Sequence, residues 1–256
     1  MKPFAYFKPL VLISILSFCA GSAIAATQDK IIHFATEATY PPFVNMQADG
    51  TIDGFETALV KALCTEAKLQ CDFQHLAFDS LLPSLAYKKI DAIYGGIGSS
   101  EERKKQVAFT DIIFENPWGI ISNKEQSLDI NQDSIKGKKI GVQQGTVPEQ
   151  YLQKNYKDII QIKTYASIQD ALMELKTKRL DGVVGDAPIL KYWLKNTSAS
   201  NYTILEFKDP DLQKEAQGSV LGFRKEDKVL VDAFNKALQT IKKNGTYEKL
   251  VQQYLE

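Results

Sequence analysis

From residue 31 to the C-terminus, short apolar runs alternate with segments whose apolar residues recur at helical spacing. The runs predict strands at 31–35, 72–78, 90–96, 118–122, 139–144, 159–165, 180–185, 202–207 and 218–223. The helical spacing predicts helices at 55–69, from an Asp79 cap through 85, and at 145–151, 167–175, 187–194, 227–243 and 246–255. This alternation of strands and helices indicates an α/β fold.

One short unit occurs twice in this alternation. Residues 85–93 recur at 175–183, and each copy ends a helix with two basic residues before Asp91 or Asp181 opens an apolar run. Joints of this kind are common between helices and strands, so chance similarity is one interpretation. The other is a pair of related lobes that bind a ligand in a cleft at the carboxyl ends of their strands.

Two extended stretches are the candidate crossings between such lobes. They lie near 114–118 and 207–210, and no Gly/Ser-rich linker separates the halves of the chain. Two crossings make the first lobe discontinuous. The predicted division is a first lobe of residues 26–114 plus 210–256 and a second lobe of residues 115–209.

The segment 1–25 has the layout of a secretory signal peptide. Its apolar run at 10–20 is shorter than the roughly 20 residues that span a bilayer, and residues 23–25 form a small-x-small cleavage site. Cys19 raises the alternative of a lipoprotein, but bulky Phe18 stands where a lipobox has a small residue. We therefore expect a soluble protein exported to the periplasm.

Charge and cysteine content narrow the function classes. The chain has 31 Lys and Arg residues against 31 Asp and Glu residues, without a strong basic patch, so we expect no nucleic-acid partner. Cys64 and Cys71 form an even pair, which an oxidising compartment favours as a disulfide. Metal ligation is the weaker alternative, because His33 and His75 do not complete a zinc spacing. We expect no metal, no cofactor and no catalytic Ser/His/Asp arrangement.

Polar residues follow the ends of several predicted strands. The guanidinium fork of Arg103 suits a carboxylate, although a solvated helix start is the simpler interpretation. The turn before the helix at Thr146 can offer N–H groups to an anion, but it lacks the spacing of a phosphate loop. Asp186 can accept hydrogen bonds from a ligand ammonium, or it can cap the helix that begins at Ala187.

Aromatic and acidic residues also meet at the ends of the first two strands. These residues are Glu37, Tyr40 and Phe78. Two ring faces and a carboxylate suit a cationic group. Each aromatic residue taken singly is more simply a core residue.

The segments 34–43, 77–85, 141–146, 181–186 and 243–247 resemble motifs of the periplasmic amino-acid-binding proteins of ABC importers. The similarity covers essentially the whole chain after the leader. It is strongest to the lysine/arginine/ornithine-binding family and, within it, to the arginine-binding branch. The resemblance implies a two-lobed α/β fold of the type 2 periplasmic binding proteins, with the ligand between the lobes. The spacing of Cys64 and Cys71 also resembles a disulfide found in several members.

The resemblance implies roles for the residues at the strand ends. Arg103 would hold the α-carboxylate of an amino acid, helped by the N–H of Thr146. Asp186 and the backbone at Gly96 would hold the α-ammonium. The lobes would close over the ligand by a hinge at the two crossings.

Selectivity for the ligand side chain is implied in the same way. Tyr40 and Phe78 would sandwich the side chain, and Glu37 would face its cationic head. Four positions depart from the family pattern, and two of them, Gly95 and Gly96, replace bulkier or hydroxylated residues of some relatives. Gly98 stands where many members have Ser or Asp near the ammonium, and Val147 stands where a Thr often helps to bind the carboxylate.

The resulting expectation is a monomeric binding protein, not an enzyme, that delivers a basic L-amino acid to an inner-membrane ABC permease. Arginine is the first candidate, followed by lysine, ornithine and histidine. An exported cyclohexadienyl dehydratase, which acts on a prephenate-like substrate, is the alternative on the same scaffold. A sensor or adhesin is a third interpretation. Glu37 beside two aromatic residues favours the cationic ligand.

Overall fold

The computed structural model describes residues 30–197, 199–207 and 218–255. The predicted signal peptide at 1–25, the predicted lobe boundary at 210 and most of the second crossing lie outside the described residues. No helix within the described part is long and apolar enough to cross a membrane.

The strands are short and are distributed along the whole described chain. They are β1 (Ile32–Thr36), β2 (Thr39–Tyr40), β3 (Val44–Met46), β4 (Ile52–Asp53), β5 (Cys71–His75), β6 (Ala92–Ile93), β7 (Val107–Phe109), β8 (Trp118–Asn123), β9 (Lys139–Gln143), β10 (Gln161–Tyr165), β11 (Gly182–Asp186), β12 (Tyr202–Glu206) and β13 (Gly222–Arg224). The helices are α1 (Phe55–Ala67), α2 (Phe78–Ala86), α3 (Glu101–Lys104), α4 (Gln132–Ile135), α5 (Val147–Tyr156), α6 (Ile168–Lys176), α7 (Ala187–Asn196), α8 (Lys228–Lys243) and α9 (Thr246–Leu255).

Two five-stranded sheets have the same topology. The first has the order β5-β1-β6-β13-β7 and the second the order β10-β9-β11-β8-β12. In each sheet the first three strands are parallel, and the fourth runs antiparallel to both its neighbours. A small antiparallel sheet of β2, β3 and β4 accompanies the first. The predicted α/β class and two-lobed architecture are confirmed.

We call the unit around the first sheet lobe 1 and the unit around the second sheet lobe 2. Strand β13 belongs to the first sheet although it follows β12 of the second, so the chain returns to lobe 1 after residue 218. The first crossing leads from β7 into β8, and an isolated bridge pairs Phe114 with Ser219 beside it. The division at 114/115 and 209/210 stays a prediction.

An aromatic cluster forms the centre of lobe 1. The ring of Phe34 on β1 lies 5.6–6.1 Å from the rings of Phe73, Tyr94, Phe223 and Phe234. These rings come from three strands, from the segment after β6 and from α8, so a single cluster joins both ends of the chain. Buried aromatic area of this kind is a large contribution to the stability of a fold.

Lobe 1 also contains the disulfide between Cys64 and Cys71, as predicted. It links the last turns of α1 to the start of β5. Within the described residues no group of His, Cys, Asp and Glu side chains is arranged to hold a metal ion. His33 instead contacts Asp72, with Nδ1 2.8 Å from the carboxylate.

The segment 72–86 differs from the sequence-based prediction. Strand β5 ends at His75, and Phe78 begins α2 instead of ending the strand. Ala77 occupies the N-cap position in place of Asp79, and Pro83 lies inside the helix. Phe78 therefore lies at the N-terminus of a helix and not at the end of a strand. Its ring thereby packs against Arg103, whose Cζ lies 5.7 Å from the ring centroid.

Other helices begin just after a Ser or Thr, the residue types that favour the N-cap position. The side chains of Ser100, Thr146 and Ser167 each accept a hydrogen bond from a backbone N–H three residues later. These caps supply partners for N–H groups that the first turn of a helix leaves free. They also fix where α3 and α5 begin, beside the space between the lobes.

Candidate ligand-binding site

A cavity lies between the lobes, where their central strands end. Its walls are formed by Tyr40, Phe78, Gly95, Gly96, Gly98, Arg103, Asn116, Trp118, Gln143, Thr146, Val147, Pro148, Ile168, Val184, Gly185, Asp186 and Gly218. Gly95 and Gly96 follow β6 of lobe 1, while Gln143 and Asp186 end β9 and β11 of lobe 2. The carboxyl ends of parallel strands are the usual ligand-binding edge of an open α/β sheet.

Most of the predicted site residues surround this cavity. Those that line it are Tyr40, Phe78, Gly96, Gly98, Arg103, Thr146 and Asp186. Glu37 is the exception, and it reaches the cavity wall through a hydrogen bond to Gln143. The ligand contacts implied for these residues stay predictions.

Asp186 is a buried carboxylate that receives two hydrogen bonds at one oxygen. Tyr40 Oη donates to Oδ2 at 2.6 Å, and Asn116 Nδ2 donates to the same atom at 2.5 Å. Asp186 stands at the N-cap position of α7, but its side chain makes no capping bond. Burial raises the pKa of Asp186 to about 7, although the hydrogen bonds from Tyr40 and Asn116 oppose the shift. Both of these donors are neutral, so neither Tyr40 nor Asn116 compensates the charge of the ionised carboxylate.

Arg103 is buried at the opposite side of the cavity, with 5% of its surface exposed. Its Nη1 donates to the carbonyl of Gly98 at 2.8 Å and its Nη2 to the carbonyl of Gly145 at 2.8 Å. The solvated helix start considered from the sequence is therefore wrong. Burial lowers the pKa of Arg103 to about 10, which leaves the guanidinium charged at neutral pH. Because Gly145 belongs to lobe 2, Arg103 also connects the lobes.

Glu37 and Gln143 form another contact between the lobes. Gln143 Nε2 donates to Glu37 Oε2 at 2.5 Å, and Thr39 Oγ1 donates to Oε1 at 2.8 Å. Glu37 is 6% exposed, and burial raises its pKa despite these hydrogen bonds. Gln143 lies inside one of the sequence motifs, yet its own role was not predicted. The last four residues of β9 are all buried, so the burial pattern does not show which of them faces the other lobe.

A pair of glycines forms the floor of the cavity in lobe 1. Gly95 and Gly96 have φ of 98° and 68°, in the region that favours glycine. Their N–H groups donate to the buried carboxylate of Glu56 at 2.8 and 3.2 Å. A Cβ at Gly96 would lie 2.7 Å from the ring of Tyr40. The glycine pair thus lets Tyr40 approach Asp186, and Glu56 holds the pair in place.

The sequence did not indicate Glu56 or Asn116 as functional residues. Glu56 is in the first turn of α1, where an acidic side chain ordinarily stays in water. Asn116 lies in the predicted crossing, and only the extended character of that stretch distinguishes it in the sequence. Burial raises the pKa of Glu56, although its hydrogen bonds from the glycines oppose the shift.

Residues 32–256 match the family model of the bacterial extracellular solute-binding proteins, family 3. The chain belongs to this family. The resemblance to periplasmic amino-acid-binding proteins is thereby confirmed. The two lobes and the cavity between them are the features that a protein of this class needs to enclose a small solute.

Relatives of this solute-binding protein are similar over nearly their full length. ABC transporter arginine-binding protein 1 of Escherichia coli K12 is 37% identical over 96% of this chain and 98% of its own. The structure of a periplasmic binding protein of Salmonella typhimurium with high arginine specificity has a TM-score of 0.79 and is 33% identical, covering 89% of this chain and 100% of the other. An ancestral arginine-binding protein bound to arginine has a TM-score of 0.78 at 32% identity, covering 88% and 98%. These relatives are binding proteins, which supports the expectation of a binding protein over that of an enzyme.

Proposed function

We propose that this solute-binding protein captures a basic L-amino acid, arginine in the first place, and delivers it to an ABC permease of the inner membrane. The observation that supports this most strongly is the position of two buried, opposite charges in one cavity. Arg103 and Asp186 line it from different lobes. A zwitterionic amino acid offers a carboxylate to the first and an ammonium to the second.

The carboxylate end of the cavity is rich in hydrogen-bond donors. Arg103 Nε is buried and has no hydrogen-bond partner among the described residues. Thr146 caps α5 and lines the cavity, so the first N–H groups of that helix can donate to an anion bound there. A guanidinium and a helix N-terminus together stabilise a carboxylate through charge-assisted hydrogen bonds.

The ammonium end is formed by Asp186. Tyr40 and Asn116 both donate to Oδ2, which leaves Oδ1 to accept from the ligand. An ammonium beside a buried carboxylate favours the ionised form of that carboxylate. Binding of the ligand therefore lowers the pKa of Asp186 and relieves the unfavourable burial of its charge.

The region beyond these two ends suits a cationic side chain. The rings of Tyr40 and Phe78 both line the cavity, where they can stack on a guanidinium or contact an ammonium. Glu37 receives hydrogen bonds from two neutral donors, Gln143 and Thr39, so a cation is its missing electrostatic partner. The arginine-binding function named for several relatives supports arginine over lysine, ornithine and histidine.

We also propose that the protein acts in the periplasm as a monomer, after removal of residues 1–25. The periplasmic relatives support this location. Three hydrogen bonds join the lobes around the cavity, from Tyr40 to Asp186, from Arg103 to Gly145 and from Gln143 to Glu37. A ligand that strengthens these contacts closes the lobes into the form that a permease can recognise.

The experiment is a thermal-denaturation panel on ligand-free protein with arginine, lysine, ornithine, histidine and prephenate. A ligand at 100 times its dissociation constant raises the free energy of unfolding by about 2.7 kcal/mol. We expect the largest increase with arginine. If none of the four basic amino acids raises the melting temperature, the proposed function is wrong. An increase with prephenate alone would support the dehydratase alternative.

A further inference from the structure

Asn116 lies where the first crossing enters the cavity. It is two residues after Phe114, whose bridge to Ser219 joins the crossing to lobe 1, and two residues before Trp118, which begins β8 of lobe 2. Its side chain lines the cavity and is 5% exposed. The residue is therefore both part of the connection between the lobes and part of the cavity wall.

The orientation of the Asn116 amide follows from its neighbour. Nδ2 lies 2.5 Å from Asp186 Oδ2, and an ionised carboxylate oxygen can only accept a hydrogen bond. The other amide atom must then be the oxygen. Asn116 Oδ1 is buried and has no hydrogen-bond donor among the described residues. Buried amide oxygens in folded proteins nearly always have a donor, so this atom calls for one.

We propose that Asn116 is a ligand-binding residue whose Oδ1 accepts a hydrogen bond from the ligand α-ammonium while its Nδ2 orients Asp186. This inference rests on the proposed function, because it requires an amino-acid ligand. An ammonium has three N–H donors on one nitrogen. Asp186 Oδ1 accepts one of them and Asn116 Oδ1 accepts a second. The amide and the carboxylate thus form one acceptor pair.

The charged groups around Asp186 are consistent with this arrangement. Tyr40 on β2 donates to it, Glu56 on α1 repels its negative charge, and Arg103 lines the far wall of the cavity. The hydrogen bond from Asn116 lowers the pKa of Asp186 against the larger effect of burial. Removal of that hydrogen bond therefore makes the carboxylate harder to ionise.

The test compares two ligands on two proteins by calorimetry. Arginine has an α-ammonium, and 5-guanidinopentanoate is the same molecule without it. We expect Asn116→Ala to weaken arginine binding roughly 10–100-fold, as for loss of a hydrogen bond to a charged group. The affinity for 5-guanidinopentanoate should change less than about twofold. Asn155→Ala is the matched control, because Asn155 is an exposed amide of α5 that donates a hydrogen bond to the carbonyl of Tyr151 in its own helix.

An equal loss for both ligands, or no loss for arginine, would overturn the inference and leave the proposed function intact. Absence of arginine binding by the wild-type protein would instead overturn the proposed function, and the inference with it. If the alanine variant is misfolded by circular dichroism, Asn116→Ser takes its place in the same comparison.

The second measurement is the affinity for arginine as a function of pH. It tests the inference even if 5-guanidinopentanoate binds too weakly for calorimetry. The affinity for arginine depends on ionised Asp186, so it falls as the pH decreases. Without the Asn116 hydrogen bond, this fall should begin at a higher pH than in the wild-type protein. An unchanged midpoint would show that Asn116 does not act on Asp186.

Discussion

Lobes 1 and 2 contain the same joint, a short connection from a helix to the strand that follows it. Different interactions stabilise this joint in the two lobes. In both lobes a lysine with left-handed backbone lies two residues after the end of the helix, Lys88 with φ 58° and Lys178 with φ 61°. Each lysine N–H donates to the carbonyl three residues earlier, that of Leu85 or Leu175. The repeated sequence unit is therefore a repeated structure, and chance similarity is not its explanation.

The aspartate that follows completes the joint in the same way in both lobes. The N–H groups of Asp91 and Asp181 donate to the carbonyls of His33 and Lys139, each at 2.9 Å. The two carboxylates accept in return from the N–H groups of these same residues, at 3.2 and 2.8 Å. Each aspartate thus joins the incoming strand to its parallel neighbour in the sheet, β1 in lobe 1 and β9 in lobe 2.

The lobes differ in what surrounds the aspartate. The side chain of Asp91 is 8% exposed and pairs with Arg224 at 2.8 Å and Lys30 at 2.9 Å. The side chain of Asp181 is 29% exposed, and its ion pair with Lys138 is 4.0 Å long. Arg224 ends β13, the strand that returns to lobe 1 late in the chain. Discontinuity therefore gives lobe 1 a buried ion pair at a joint that lobe 2 leaves partly in water.

The largest expected effect is a loss of ligand affinity when the cationic residue that lobe 1 places in the cavity is removed. Arg103→Ala should reduce arginine affinity by about 2–5 kcal/mol, because it removes one partner of a buried charge pair. Calorimetry measures the loss, and circular dichroism checks that the chain is folded. Arg179→Ala is the control, since Arg179 is exposed and pairs with Glu174 in lobe 2. Retained affinity in the Arg103 variant would remove this residue from the site.

A difference in stability should follow from the two joints. Asp91→Ala removes one of the two carboxylates that pair with buried Arg224, the other being that of Asp227, and should lower the free energy of unfolding by about 2–4 kcal/mol. Asp181→Ala should lower it by about 1 kcal/mol, because that carboxylate is partly solvated. Urea denaturation of both variants gives the two values. Equal losses would show that the buried ion pair adds nothing to the joint of lobe 1.

The contributions of Asp91 and Asp186 to the stability of the fold should respond to pH in opposite directions. Hydrogen bonds and ion pairs with Lys30, Arg224 and His33 outweigh burial and lower the pKa of Asp91, while burial raises that of Asp186 to about 7. Asp91 therefore stabilises the fold above its unfolded pKa of about 4, and this contribution is lost as the pH falls below it. Asp186 acts oppositely. The folded state binds its proton more tightly than the unfolded state, so the free energy of unfolding decreases as the pH rises from about 4 to 7.

Asp186→Asn tests this contrast. The variant should be about 2 kcal/mol more stable than the ligand-free wild type at pH 8, because it removes a buried charge but keeps an oxygen for Tyr40 and Asn116. It should also lose arginine binding. Thermal melts from pH 4 to 8 measure the difference. A wild-type stability that does not decrease relative to the variant as the pH rises would contradict the raised pKa.

The smallest effect tests the equivalence of the joints. Lys88→Gly and Lys178→Gly should each stabilise the chain by roughly 0.5–1 kcal/mol, because glycine adopts positive φ without a Cβ penalty. Alanine at the same positions keeps the penalty and is the control. Unequal gains in urea denaturation would show that the two turns are under different strain.

Sequence reasoning found the repeat, the disulfide and seven of the residues that line the cavity. It placed Phe78 on a strand and did not identify Gln143, Glu56 or Asn116, whose partners are distant in the chain. Their positions depend on how the lobes face each other. Hydrophobic periodicity reports which side of an element is buried, but it does not report which polar group is on the other side.

The two joints separate what each level of structure determines. Local sequence indicates the turn after the helix and the aspartate just before the next strand, because both belong to the repeated unit and depend on neighbours within a few residues. Only the tertiary structure decided that Asp91 would meet Arg224 and that Asp186 would meet Tyr40 and Asn116. Burial and pairing depend on chain segments that pack together from far apart, and they shift the pKa values of Asp91 and Asp186 in opposite directions.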